Sequence, residues 1–156
     1  MEYKELIKSF AERNGIKNIL IDEEEVTLVV DFTAVTIRES TNARAIIVSA
    51  VIGGYVPDEK GRLASFMLQA NHISATGDAM TVCLNPKTDE YLVARAIPNA
   101  LADAESLTET VEAVADVALS FRENVRAFVD VEMEASQEDD EEKEFNPLFG
   151  GFFIRV

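Results

Sequence analysis

The sequence has almost none of the cysteine and histidine residues that build zinc sites and disulfides. Its 156 residues include one cysteine, one histidine and no tryptophan. A single cysteine cannot form an internal disulfide, and a single histidine without paired cysteines has no zinc-binding spacing. The sequence also contains no GxSxG turn and no glycine-rich phosphate loop. We therefore predict no catalytic residues, no metal and no cofactor, and expect a protein that is not an enzyme.

Long apolar runs and basic residues are also scarce. No stretch approaches the roughly 18 apolar residues of a membrane span, and the N-terminus MEYKELIKSF mixes charges into the region where a secretory signal would be apolar. The chain has 14 Lys and Arg against 29 Asp and Glu, a net charge of −15. This charge disfavours nucleic acid and anionic membrane surfaces. We expect a cytoplasmic protein that binds neither and whose partners are basic or amphipathic polypeptides.

What the chain does have is the composition of a folded domain. Hydrophobic residues make up 47% and charged residues 28%, as in soluble globular proteins. The acidic charge is concentrated at the end, because residues 129–156 hold nine acidic and two basic side chains. We therefore predict a folded domain over residues 1–128, followed by an acidic linker and an aromatic tail over residues 129–156.

Hydrophobic periodicity predicts an α+β domain with the order helix, three strands, helix, two strands, helix. Asn14 and Gly15 supply the stop for the first helix. The β-branched runs and polar turns that follow predict antiparallel strands, with a later hairpin around Pro86. The predicted helices cover residues 2–14, 58–72 and 103–128, and the predicted strands cover residues 26–32, 34–39, 44–52, 79–85 and 90–96.

The second predicted helix is more apolar than one core contact requires. Leu63, Phe66 and Met67 form one face, and Ala64 and Leu68 widen it. Leaving such large side chains in water forgoes about 1.5 to 3 kcal/mol each. In a chain this short, a second copy is the expected cover, so the helix predicts a homodimer.

The last predicted helix has a heptad seam of apolar residues, which favours a helix packed across the sheet over a free-standing coiled coil. Ser106 and Glu109 could form a capping box, with Asp103 as a competing N-cap. The seam residues are Leu107, Val111, Val114, Ala118, Phe121, Val125 and Phe128.

The few reactive side chains have structural interpretations. Cys83 lies in an alternating strand, where a buried or half-buried thiol is expected, and His72 at a helix end is expected to cap it. The carboxylates occur in runs, as at residues 138–142, which are typical of solvated segments. A site made of carboxylates alone would need a deep pocket that raises their pKa values.

The stretch from Leu63 to Val125 resembles the class I type III secretion chaperones, the Tir chaperone-like family. The order of four short segments and small acidic size carry the resemblance. The segments are residues 68–71 (LQAN), 84–89 (LNPKTD), 97–98 (IP) and 103–107 (DAESL).

This resemblance implies an α+β homodimer that holds the extended N-terminal region of a secreted effector and keeps it competent for secretion. The partner would lay apolar side chains into grooves and add main-chain contacts at sheet edges. A secretion ATPase, not the chaperone, would strip the cargo. The implied dimer interface is Leu63, Phe66, Met67, Ala70, Val82 and Leu84, and the implied partner-binding side chains are Leu28, Val30, Ile37 and Ile47.

The C-terminal tail departs from the family. An acidic run cannot offset ordering costs of roughly 1 to 2 kcal/mol per residue, so residues 134–144 are expected to be mobile. We hypothesise that the aromatic end docks in an apolar groove when cargo is absent; a final strand or a permanently docked tail is the alternative. Its apolar residues are Phe145, Leu148, Phe149, Phe152, Phe153 and Ile154. A regulator or adaptor with the same fold and no role in secretion is the second functional interpretation.

Overall fold

The computed structural model describes residues 2–17, 19, 21, 25–54, 62–74 and 80–144. The predicted α+β class and element order are confirmed. The elements are α1 (Tyr3–Arg13), β1 (Glu25–Val30), β2 (Thr33–Ser40), β3 (Ala45–Gly54), α2 (Arg62–Ser74), β4 (Thr81–Asn85), β5 (Glu90–Pro98) and α3 (Ala104–Glu144).

The five strands form one antiparallel sheet in the order β1-β2-β3-β5-β4. The long apolar strand β3 is central, and β1 and β4 are the two edges. Pairing aligns Val26 with Ile37 and Ile37 with Val48, so buried side chains of neighbouring strands share one face. This alternation explains why the sequence pattern predicted strands here, since successive side chains of a strand point to opposite faces of the sheet.

Helix α1 covers that face with an apolar stripe that includes Leu6, Ile7 and Phe10, all buried. At its first residue, the hydroxyl of Tyr3 donates a 2.9 Å hydrogen bond to the carbonyl of Ile37. At its C-terminal end, Asn14 Nδ2 donates to Thr108 Oγ1 of α3 over 2.8 Å. Helix α1 is therefore tied to both the sheet and α3.

Helix α3 crosses the same face, which confirms the predicted sheet-packed helix. Leu107 and Val114 of its seam are completely buried. Arg122 donates from Nε and Nη2 to the Val51 carbonyl of β3, over 3.0 and 2.6 Å. The structure uses Asp103 as the cap: Ser106 N donates to Asp103 Oδ1 and Asp103 N to Ser106 Oγ. The side chain of Phe128 lies outside the described part.

The strand predicted over residues 26–32 ends two residues early. Val30 pairs with Thr33, so Asp31 and Phe32 form a two-residue hairpin turn, with φ of 44° and 64°. Such turns favour Asn and Gly, because positive φ crowds a side chain. Phe32 is instead a residue typical of strands, which is why the sequence pattern extended the strand through it.

The acidic segment is helical where a mobile linker was predicted, since α3 continues to Glu144. Alanine, glutamate and methionine are good helix formers, and a helix already nucleated by packed residues extends at little further cost. The aromatic tail of residues 145–156 lies outside the described residues.

Candidate functional site

The exposed apolar surface of α2 is the first candidate site. Leu63 is completely buried and Met67 is 4% exposed, so both belong to the core. Phe66 is 39% exposed and Leu68 is 70% exposed on the same helix. The ring of Phe66 also packs on Phe121 of α3, with centroids 5.9 Å apart. Helix α2 therefore contributes to the core with one face and presents apolar side chains to solvent with another.

The residues predicted for the dimer interface fall into two groups. Leu63, Met67 and Val82 are buried within the protomer, and Ala70 is half-buried. Phe66 and Leu84 are exposed and accessible to a partner. The predicted list omitted exposed Leu68, as well as Leu119 of α3, which is 44% exposed. Sequence spacing placed these residues on helices, but only tertiary packing distinguishes a core position from an exposed one.

Asn71 closes part of the β4 edge. Its Nδ2 donates to the Val82 carbonyl over 2.9 Å, and its Oδ1 accepts from Val82 N over 2.6 Å. One amide side chain therefore satisfies the two main-chain groups that an added strand would use at Val82. No feature of the sequence identifies this role, because the two residues are distant in the chain and belong to different elements.

The opposite edge, β1, has no neighbouring strand on its outer side among the described residues. Its exposed side chains include Thr27 and Val29, the latter 72% exposed. The adjoining hairpin turn presents Phe32, which is 98% exposed. An unpaired edge with an exposed aromatic beside it can accept the main chain and apolar side chains of an extended polypeptide.

The four predicted partner-binding side chains do not form one surface. Leu28, Val30 and Ile37 lie on the sheet face that the helices cover, where Ile37 is completely buried. Ile47 pairs with Arg38 and Ala96 on the opposite face and is half-buried. The strands are apolar on both faces, so the sequence could not assign which face would be covered.

Among the described residues, no group of three or more His, Cys, Asp or Glu could hold a metal ion. Cys83 is exposed, which corrects the prediction of a buried or half-buried thiol; it lies on an edge strand. The side chain of His72, predicted as a cap, lies outside the described part.

Among the described residues, two groups have displaced pKa values, and both have structural roles. Burial raises the pKa of Tyr3 to about 12, with smaller contributions from Glu25 and Glu39. Hydrogen bonds from Ser106 lower the pKa of Asp103, the cap of α3. Within the described residues, no helix is long and apolar enough to span a bilayer.

The sequence of the chain is similar to that of a known protein family. A family model for the Tir chaperone protein (CesT) family matches residues 5–122. None of the curated proteins matches the chain.

Several solved structures share the fold. A chain of the HopA1–SchA chaperone–effector complex has a TM-score of 0.67 at 15% identity, covering 78% of this chain and 93% of that chain. A chain of the structure of the Yersinia pestis type III secretion chaperone SycH in complex with a stable fragment of YscM2 has a TM-score of 0.60 at 17% identity, covering 77% of this chain and 99% of that chain. The ExoT–SpcS complex from Pseudomonas aeruginosa gives 0.59 at 14% identity, with coverages of 76% and 95%.

Proposed function

The chain belongs to the Tir chaperone protein (CesT) family, and we propose that it is a homodimeric, cytoplasmic type III secretion chaperone. It would bind the extended N-terminal region of an effector and keep it competent for secretion. The family match over residues 5–122 carries this proposal. The similar folds in complexes described as chaperone–effector and type III secretion assemblies support it.

Dimerisation is proposed at the exposed surface of α2 and the adjacent part of the fold. Phe66, Leu68 and Leu84 are between 39% and 70% exposed there. Complete burial of an exposed large side chain contributes about 1.5 to 3 kcal/mol, and covering these partly exposed side chains would contribute a fraction of that. The buried residues Leu63, Met67 and Val82 act in this proposal as the support beneath the interface.

Cargo is proposed to add along β1. Asn71 already occupies the main chain of Val82 on the β4 edge, whereas β1 has no outer neighbour among the described strands. An extended segment pairing with β1 would gain main-chain hydrogen bonds and could cover Val29 and Phe32 with apolar side chains. Two of the predicted partner-binding residues, Leu28 and Val30, belong to β1 and would therefore lie beside the bound segment.

The protein is proposed to act without catalysis. Its family is made up of chaperones, and energy for cargo release would come from a secretion ATPase rather than from this chain.

The test begins with purification of the tagged full chain from its own cells and identification of the dominant bound protein. A synthetic segment from that protein's N-terminus is then added to the chaperone. We expect the segment alone to bind and to slow hydrogen exchange of amides in Glu25–Val30. Binding only through a folded domain would instead support a regulator or adaptor with this fold.

The aromatic tail is proposed to mask the binding surface when cargo is absent. From Val125, a buried residue whose side chain lies near Gly53 of β3, α3 extends for 19 residues, about 28 Å. The 12 residues after Glu144 span up to about 40 Å. The last aromatic residues are therefore far enough along the chain to return to the sheet of their own protomer.

Ending the chain after Glu144 tests this masking. We expect the truncated protein to bind the same N-terminal segment more tightly, by about tenfold if masking costs about 1.4 kcal/mol. The matched control replaces Phe152 and Phe153 by serine in the full chain and should reproduce most of the gain. Equal affinities of all three proteins would show that the tail does not mask the site.

A further inference from the structure

A recess lies where the end of β5 meets the first turns of α3. Its volume is about 210 Å³; for comparison, a protein cavity of about 150 Å³ holds a benzene ring. Ala96, Ile97, Pro98 and Leu101 supply apolar walls, and Ser106, Glu109 and Thr110 line the α3 side. The recess is therefore large enough for an aliphatic side chain.

Thr110 brings a buried hydroxyl group to this recess. The residue is only 3% exposed, yet its hydroxyl has no hydrogen bond to any described residue. The neighbouring hydroxyls of α3 are satisfied: Thr108 Oγ1 donates to the Ala104 carbonyl over 2.8 Å, and Ser106 Oγ donates to the Leu101 carbonyl over 3.1 Å. A buried hydroxyl without a partner destabilises the protein, and a ligand that supplies the partner removes part of that cost.

The charged groups at the recess suit a peptide group. Arg95 is half-buried and has no ion pair among the described residues. Its guanidinium can donate to a carbonyl oxygen, and the carboxylate of Glu109 can accept from an amide N–H. Together with the Thr110 hydroxyl, these groups offer both a donor and an acceptor beside apolar walls.

On its side away from β3, the main chain beside the recess has no neighbouring strand among the described residues. The β4 ladder ends where Thr81 pairs with Ala94. Beyond it, residues 95–98 of β5 pair only with β3 among the described strands. An extended polypeptide could therefore lie along this stretch while one of its side chains enters the recess.

We propose that this recess binds one peptide group and its aliphatic side chain from an extended partner polypeptide. The site lies at β5 and α3, away from the β1 edge, and would set which residue type the partner carries at one position. This inference rests on the proposed function for the identity of the partner. The chemistry of the recess can be tested without any effector.

The test uses the full chain with isotope-labelled methyl groups and N-acetyl-leucine methylamide, which carries one side chain between two peptide groups. We expect saturable NMR shifts of Ile97, Leu101 and Thr110 methyls. N-acetyl-glycine methylamide, which lacks the side chain, should bind at least several-fold more weakly. Absence of saturable shifts would overturn the proposal.

The variant Thr110→Val removes only the hydroxyl and keeps the shape of the side chain. We expect it to weaken probe binding two- to tenfold, as for loss of one hydrogen bond, without lowering the melting temperature. The control, Thr108→Val, should leave probe affinity unchanged and lower the melting temperature. Unchanged affinity in Thr110→Val would overturn the proposal.

Two further arms complete the test. Leu101→Ala removes an exposed wall without disturbing the core and should also weaken binding; equal affinity would contradict the recess as the site. Probe binding that appears only after removal of residues 145–156 would assign the recess to the chain's own tail instead. Failure of the probe would leave the chaperone proposal standing, because the effector segment is tested separately.

Discussion

Phe32 has a backbone conformation that a residue with a large side chain rarely adopts. Its φ of 64° places a large aromatic side chain in the left-handed region, and its 98% exposure leaves almost no contacts within the protomer to compensate. Non-glycine residues pay about 1 to 2 kcal/mol for this conformation, and asparagine pays less. Strain at an exposed aromatic is consistent with a side chain retained for contact with a partner.

We therefore expect Phe32→Asn to raise the free energy of unfolding by about 0.5 to 1 kcal/mol, as measured by urea denaturation. Phe32→Ala is the control, because it removes the ring but keeps the Cβ atom and the strain. A loss of stability in Phe32→Asn would mean that the ring is covered in solution.

The packing of helix α1 against the sheet can be tested through one of its side chains. Tyr3 is 6% exposed and its hydroxyl donates to the Ile37 carbonyl of β2. Because this burial favours the neutral phenol, the pKa in the folded protein is raised from 10.0 to about 12. The stabilisation from this group is fully present below pH 10 and is lost as the pH rises towards 12.

The variant Tyr3→Phe should lower the free energy of unfolding by about 1 kcal/mol at pH 8, since it removes one hydrogen bond. This difference in stability should shrink as the pH rises from 10 to 12. In that range the Tyr3 phenol ionises in the unfolded wild-type protein but stays neutral in the folded one, which lowers the stability of the wild type only. The remaining tyrosines are common to both proteins, so they cancel in the difference. A deficit that stays constant to pH 12 would contradict the raised pKa.

The state of assembly is the question at the scale of the whole molecule. Leu68 on α2 and Leu101 before α3 are equally exposed, at 70% and 68%, so they form a matched pair. If α2 forms the interface, Leu68→Glu places a charge in it, whereas Leu101→Glu places the same charge elsewhere. Burial of an unpaired carboxylate costs several kcal/mol, which is enough to dissociate a moderate dimer.

We expect light scattering at micromolar concentration to find a dimer for the wild type and for Leu101→Glu, and a monomer for Leu68→Glu. Circular dichroism would check that both variants remain folded. A monomeric wild type, or a Leu68→Glu variant that is still a dimer, would rule out this interface.

Much of the fold could be predicted because its signals are local. The seam from Leu107 to Val125 repeats at helical spacing, and the strands between Val26 and Ile52 carry their β-branched composition in short windows. The family resemblance over residues 63–125 is likewise confirmed by the family match. The bonds of Asn71 to Val82 and of Arg122 to Val51 could not be predicted, since they join separate elements.

The α+β class, the element order, the family and the scarcity of cysteine and histidine can all be read from the amino-acid sequence, because periodicity and composition do not depend on distant neighbours. Which apolar side chains remain exposed to a partner depends on how the elements pack. Of two predicted interface residues one turn or less apart, Leu63 is buried and Phe66 is exposed, and both edges of the sheet look alike until Asn71 closes one of them. A side chain is buried only when another element packs against it, and the sequence of its own element does not say which element that is.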